Sequence, residues 1–412
     1  MISVPEAQAR IVEAVSPFPG QALALAEAWG RVLTRPVAAP IPSPVFDNSA
    51  MDGYALRLAD TAAAGPGSSV SLFVAATIPA GISLKASLKP GEAMRIFTGA
   101  KIPEGADAVV KQEEVERAGE AILLSRAVSC GENIRRRGEE LEIGAEVLGP
   151  GRPLQAAALA LLAGFGLERV EVHAAPRVGI LVTGSELVPP GAPLEPAQIY
   201  ESNSFGLSAA LQELGLVPAF AERCRDRRQD LQWALAEGLQ RADFLVVTGG
   251  VSVGDFDFVK EAAADAGIRE VFWKVRQKPG KPVFFGKKSE GKCLFGLPGN
   301  PASALVCFYE YVRPALLRAL GARELVLPAL RLPLKQDLKK RPGLRHFLKA
   351  RADLGGTAPS LHILEGQGSH LMRSFAAANA LAVLPEEGES WAAGDLVEAH
   401  LLPSIFQAWR GG

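Results

Sequence analysis

Phe244-Leu245-Val246-Val247-Thr248, followed by Gly249-Gly250-Val251-Ser252-Val253-Gly254-Asp255-Phe256-Asp257, is the stretch that decides the fold. Its apolar, β-branched run without polar alternation predicts a strand covered on both faces, and the glycines behind it predict a tight turn at its C-terminal end. The sequence on either side repeats the scheme. Val178–Thr183 reads as a second such strand, running into Gly184-Ser185-Glu186. Between the two lie a helix at 204–214, a strand at 217–221 and a helix at 227–241. Further on come a helix at 257–266 and a long helix at 301–320, entered through Pro301 after Gly296-Leu297-Pro298-Gly299-Asn300. Strands alternating with helices over 176–324 predict a parallel, doubly wound α/β domain. Its right-handed crossovers bring the strand C-termini, and any ligand site, to one edge.

Outside this block the texture changes. Residues 1–46 with 147–175 read as a discontinuous N-terminal helical domain, because 6–15 and 21–29 carry helical apolar spacing and 36–44 is a Pro-rich connector. Residues 47–146 read as an inserted, mostly-β domain, and 325–412 as a small C-terminal β-barrel. A chain of 412 residues has room for several such cores. Its 44 basic and 45 acidic side chains leave a formal charge of −1, which argues against nucleic-acid or anionic-lipid partners. The N-terminus has no leader pattern, and the longest apolar run, 156–167, is too short to cross a bilayer of about 30 Å. The cysteines, Cys130, Cys224, Cys293 and Cys307, form no CxxC pair. They read as reduced, buried thiols of a cytoplasmic protein.

The chemistry is expected where glycine-rich turns follow the strands, at 184–186, 249–257 and 296–303. Such turns let backbone N–H groups approach an anion, and any one alone is as readily a plain βα turn. Glu186, Asp226, Asp255 and Asp257 converge on the same edge. Carboxylates beside an anion site call for a hard cation between them, so Mg²⁺ is the expected cofactor; helix capping competes for the three aspartates. Few, scattered histidines and unpaired cysteines disfavour zinc or iron. Lys274-Val275-Arg276-Gln277-Lys278-Pro279-Gly280-Lys281 reads as a strand and turn gathering basic groups into an anion clamp, against the plainer reading of a charged edge strand. Gly250-Val251-Ser252-Val253-Gly254 matches the serine-hydrolase elbow, but Asp255 and Asp257 directly behind it oppose an oxyanion hole. P-loop and dinucleotide fingerprints are missing from the sequence.

Taken together, DNSAMDGYA (47–55), RIFTGA (95–100), NIRRRGEE (133–140), TGSEL (183–187), TGGVSVGDFDFVK (248–260), KPGKP (278–282) and GLPGNPASA (296–304) resemble the molybdopterin molybdenumtransferase family, bacterial MoeA and the E domain of gephyrin. The resemblance runs the length of the chain. It implies an enzyme that takes adenylylated molybdopterin and molybdate, releases AMP with Mg²⁺ assistance and yields molybdenum cofactor. It implies a homodimer of four-domain subunits whose cleft joins the α/β domain of one subunit to the β insertion of the other. A molybdopterin adenylyltransferase is then a candidate partner. By this match Glu186, Asp226 and Asp257 hold or neighbour the metal. Lys278 and Lys281 contact molybdate or phosphate. Gly249, Gly250, Ser252, Asn300 and Ser303 bind pterin or phosphate, and Asp52, Thr98 and Glu140 reach in from the partner. Glu140 stands where the family has Asp, and Leu344 where it has Arg. Arg345, next door, and Ser369 are the substrate contacts the resemblance assigns to the C-terminal domain. The alternatives are a non-catalytic molybdopterin-binding scaffold and a hydrolase using Ser252.

Overall fold

The computed structural model describes residues 1–250, 258–355 and 358–403; Ser252, Asp255 and Asp257 lie outside the described residues. The run 244–248 forms an inner strand of a six-stranded sheet ordered Pro218–Cys224, Val178–Thr183, Phe244–Thr248, Cys293–Leu297, Phe284–Lys287, Arg269–Trp273. The first four strands are parallel, whereas Phe284–Lys287 is antiparallel to both its neighbours. The sheet is therefore mixed. Its antiparallel step arises because 288–292 is a short hairpin, with Lys288 N donating to Lys292 O at 2.8 Å, too short for a crossover.

The absence of polar alternation has a direct cause. Val178, Ile180, Val182, Phe244 and Val246 pack on one face with Ile11, Phe308 and Leu316. Leu181, Leu245 and Val247 pack on the other with Leu235 and Val259. Each large side chain so buried contributes about 1.5–3 kcal/mol, and a polar residue at any of these positions would lose its water.

Helix Val4–Ala14 starts at Ser3, whose Oγ accepts from Glu6 N at 3.3 Å, and buries Val4, Ala7 and Ile11 against that same core. The helix expected at 21–29 is absent. Gly20–Ala24 is a strand pairing antiparallel with Arg169–His173, followed by a single 3-10 turn, Leu25–Glu27. A partner strand far downstream overrides the local helical spacing. The helix at 301–320 runs from Pro301 to Ala319 with a π turn at Phe308–Val312. Lys274 has φ +65° and breaks the expected basic strand, which shrinks to Gln277–Lys278.

Gln277–Lys278 joins a second six-stranded sheet, of order Gln277–Lys278, Arg345–Asp353, Ala380–Leu384, Leu396–Leu401, Ala329–Pro333, with Ser360–Ile363 beside Arg345–Asp353. The bridge Leu334↔Leu361 links its far edges around one apolar core containing Leu332, Ala350, Leu361 and Val397. These elements, with residues 1–35 and 150–156, belong to one compact unit.

Residues 36–149 and 157–168 form another unit. Its six-stranded sheet is ordered Ala108–Lys111, Gly53–Leu56, Glu92–Ile96, Val70–Ile78, Ala121–Leu124, Glu116–Ala118. Tyr54 and Leu56 face one core and Ala55 the other, so this sheet too is covered twice. Cys224, Cys293 and Cys307 are buried free thiols, while Cys130, expected buried, is exposed. No helix among the described residues is long and apolar enough to cross a membrane.

Candidate active site

A cavity of about 790 Å³ opens where the C-terminal edge of the α/β sheet meets the C-terminal module. Gly250, Lys278, Lys281, Asn300, Ser303 and Ser369 all line it, so six of the residues singled out from sequence share one chamber. Three turns build it. Gly249 (φ +88°) follows Phe244–Thr248, and a Cβ there would lie 2.5 Å from Thr183 Oγ1 and 2.6 Å from Thr183 O. Only glycine lets these two strand ends approach so closely. Asn300 precedes the helix beginning at Pro301. Its Nδ2 donates to Ser369 Oγ at 2.9 Å, while Ala302 N donates to Ser369 O at 3.2 Å. The C-terminal module thus closes over that helix end.

The third turn, Lys278-Pro279-Gly280-Lys281, is anchored from beneath. Gln277 is fully buried, and its Nε2 donates to Pro279 O at 3.0 Å and Gly280 O at 3.3 Å, while Tyr311 Oη donates to Gln277 Oε1. Cys307 Sγ donates to Gly280 O at 3.7 Å, and burial, above all else, pushes its thiol well above the usual range, keeping it neutral. A buried amide satisfied on both ends fixes two lysines without using their charges. Lys274, which sequence grouped with them, instead lies over the Trp273 ring at 3.6 Å.

Beside Gly249 and Gly250 stand the acids. Asp226 Oδ1 is buried without a hydrogen-bond partner, and so is Thr183 Oγ1. Burial and then the neighbouring Glu186 raise the Asp226 carboxyl above the ordinary aspartate range. Asp226 makes no helix cap, since helix Arg228–Arg241 has Arg227 at its cap position and no side-chain cap bond. Two neighbouring carboxylates and an orphaned hydroxyl, with no basic partner among the described residues, are donors of the oxygen type that hard cations prefer. Among the described residues no three His, Cys, Asp or Glu side chains form a complete metal group; Asp257 lies outside them.

Other expected residues sit elsewhere. Arg345 does not line the cavity: it pairs with Glu386 at 3.6 Å. Its neighbour His346, in register with Lys278 on the adjacent parallel strand, lines the cavity instead. Burial, then Lys340 and Lys278, push the His346 ring down to about 4, so it is neutral at ordinary pH. His346 and His370 were not legible as site residues, because nothing local marks which side of a strand or loop meets a chamber formed by another module. In the other unit, Asp52 Oδ1 accepts from Thr98 N and Thr98 Oγ1, both at 2.7 Å, which holds its carboxyl below the usual range. Glu140 Oε2 accepts from Ser43 Oγ at 2.7 Å. The elbow reading of Ser252 falls outside the described residues.

A chamber of lysines, a helix N-terminus and adjoining carboxylates suits a transferase that handles a phosphorylated, multiply charged ligand. Comparison with known proteins names the family. The MoeA N-terminal region (domain I and II) matches residues 2–166, a probable molybdopterin binding domain matches 179–318, and the MoeA C-terminal region (domain IV) matches 331–402. The chain is 37% identical to the molybdopterin molybdenumtransferase of Haemophilus influenzae, over 96% of this chain and 98% of that protein. It is 38% identical to molybdopterin molybdenumtransferase 2 of Mycobacterium tuberculosis, again over 96% and 98%. The crystal structure of a molybdopterin biosynthesis moeA protein from Pyrococcus horikoshii superposes with a TM-score of 0.84 at 29% identity, covering 97% of this chain and 100% of that one. The chain belongs to the MoeA family and has its multidomain α/β fold. Its activity is that of a molybdopterin molybdenumtransferase.

Proposed function

We propose that this transferase acts on adenylylated molybdopterin and molybdate in the cavity at 278–303, releasing AMP and leaving molybdenum on the pterin dithiolene. The observation that carries the reading is the meeting of Lys278, Lys281, Asn300, Ser303 and Ser369 around one chamber, with the unpartnered Asp226 Oδ1 3.8 Å from where a Cβ would stand on Gly250 in its wall. As an oxygen of water or of molybdate attacks one phosphorus of the phosphoanhydride and the bridging P–O bond breaks, charge develops on the departing phosphate oxygens. Lys278 and Lys281, carried on a turn whose backbone Gln277 anchors before substrate arrives, offset that charge with little reorganisation of the turn. Asn300 and Ser303 donate from the helix entrance and orient the phosphates, so most of the work is positioning. Neutral His346 can donate or accept toward a polar guest without adding charge. Mg²⁺, held by Glu186 and Asp226 with Asp257, would neutralise phosphate charge when bound.

The same proposal makes the enzyme a cytoplasmic homodimer. Asp52, held by Thr98, and Glu140 would complete the partner's cleft, and free thiols suit a reducing setting. The test is AMP release from adenylylated molybdopterin by purified protein, with and without Mg²⁺ and molybdate. Release that requires both is the expected result. Binding without release would leave a scaffold, and release indifferent to chelation would remove the metal from the reading.

A further inference from the structure

Behind the cavity wall lies a charge that the site above does not use. Lys349, in strand Arg345–Asp353, is 4% exposed. Its Nζ donates to Gly366 O at 2.6 Å, Gly368 O at 3.0 Å and Leu371 O at 3.1 Å. All three ammonium donors are therefore spent on carbonyls of one short loop, and no carboxylate among the described residues pairs with the charge. Burial lowers its pKa from the ordinary lysine value, as expected for an ammonium held by dipoles alone.

The same loop is tied to the same residue a second time. Lys349 N donates to Gln367 Oε1 at 2.9 Å and Gln367 Nε2 donates to Lys349 O at 2.8 Å, so the Gln367 amide is tied to both backbone groups of Lys349, beside Leu364 N, which donates to the same carbonyl at 3.0 Å. Ser374 Oγ donates to Gly366 O at 2.7 Å. What this loop carries is the cavity wall: Gln367, Gly368, Ser369 and His370 all line the chamber, and Ser369 is the residue that meets Asn300 and Ala302 at the helix entrance. A glycine-rich segment without secondary structure would otherwise sample many arrangements, and ordering it on binding would cost affinity.

We propose that Lys349 is a positioning residue of the transferase. Its buried ammonium, with Gln367, holds loop 366–371 in the form that presents Ser369 to the anionic substrate. The unneutralised charge directly behind that wall also makes the chamber more attractive to an anion. The inference rests on the cavity being the substrate site, as proposed above.

The experiment uses the full chain with Lys349→Met, and Gln367→Leu as a second variant should the first fail to fold. Hydrogen exchange of the loop amides is expected to quicken in 364–371 and not in the α/β sheet. In AMP release, KM for adenylylated molybdopterin is expected to rise about tenfold or more with kcat changed far less, because loop ordering is now drawn from binding. Ser369→Ala is expected to lower kcat/KM alone but to add less than about twofold in the Lys349→Met background, since both act through one contact. Lys349→Arg, which keeps the charge, is expected to recover part of the loss. Unchanged loop exchange in folded Lys349→Met protein would overturn the proposal, and so would losses that multiply in the double variant. If wild-type protein released no AMP, the activity reading would fail while the exchange measurement still decided whether Lys349 holds the loop.

Discussion

Replacing Gly280 by alanine tests whether the lysine turn is rigidly supported. Gly280 has φ +86°, where a non-glycine residue costs about 1–2 kcal/mol. A Cβ there would collide with Cys307 Sγ and lie 2.8 Å from Gln277 Nε2. Neither atom is free to retreat: Cys307 is fully buried on its helix, and Gln277 is held by Tyr311 and by two carbonyls. Overpacking of that kind adds about 1–3 kcal/mol. The fold therefore loses about 2–5 kcal/mol, or the turn shifts outward and carries Lys278 and Lys281 with it. A displacement near 1 Å can lower kcat/KM about 100-fold. Gly191 provides the control, since it has φ +88° with nothing within 4 Å of its would-be Cβ. Gly191→Ala should cost only the backbone strain, about 1–2 kcal/mol, with activity intact. Equilibrium unfolding and AMP-release kinetics on both variants give the comparison. Equal stability losses together with full kcat/KM in Gly280→Ala would refute the reasoning.

Asp226→Asn should stabilise the metal-free fold, because its carboxyl is raised by burial and by Glu186, and should abolish Mg²⁺ binding measured by calorimetry. Undiminished Mg²⁺ affinity would remove Asp226 from the ligand set. Burial disfavours charge on His400, but Glu310 at 2.8 Å and Glu398 at 3.0 Å outweigh it and raise the ring from 6.5 to about 9. That stabilisation is complete below pH 6.5 and lost as pH rises through about 9. The unfolding midpoints of wild type and His400→Gln should therefore converge across that window, and a constant gap would count against the ion-pair account. Asp52→Ala and Asp257→Ala proteins, each inactive alone, should regain partial AMP release when mixed and allowed to exchange subunits. Mixtures as inactive as their parents would argue against a shared cleft.

Much of this protein was legible along the chain. Runs such as 178–183 and 244–248 could be read because double burial forbids polar alternation, and the turns at 249–250, 278–281 and 298–303 because glycine and proline restrict the backbone locally. Lys278, Lys281, Asn300 and Ser303 are brought together by that local grammar once strand ends share an edge. What the sequence could not reveal depends on partners remote in the chain. Gly20–Ala24 is a strand because Arg169–His173 lies beside it. Lys274 leaves the basic cluster for Trp273, and His346 rather than Arg345 meets the chamber because of the register in which Gln277–Lys278 docks on the second sheet. Lys349 looks like a surface charge until three carbonyls close around it. Periodicity and turn chemistry are short-range properties that the chain carries in itself, whereas which face meets a cavity is set by packing between modules, and only the tertiary structure could decide it.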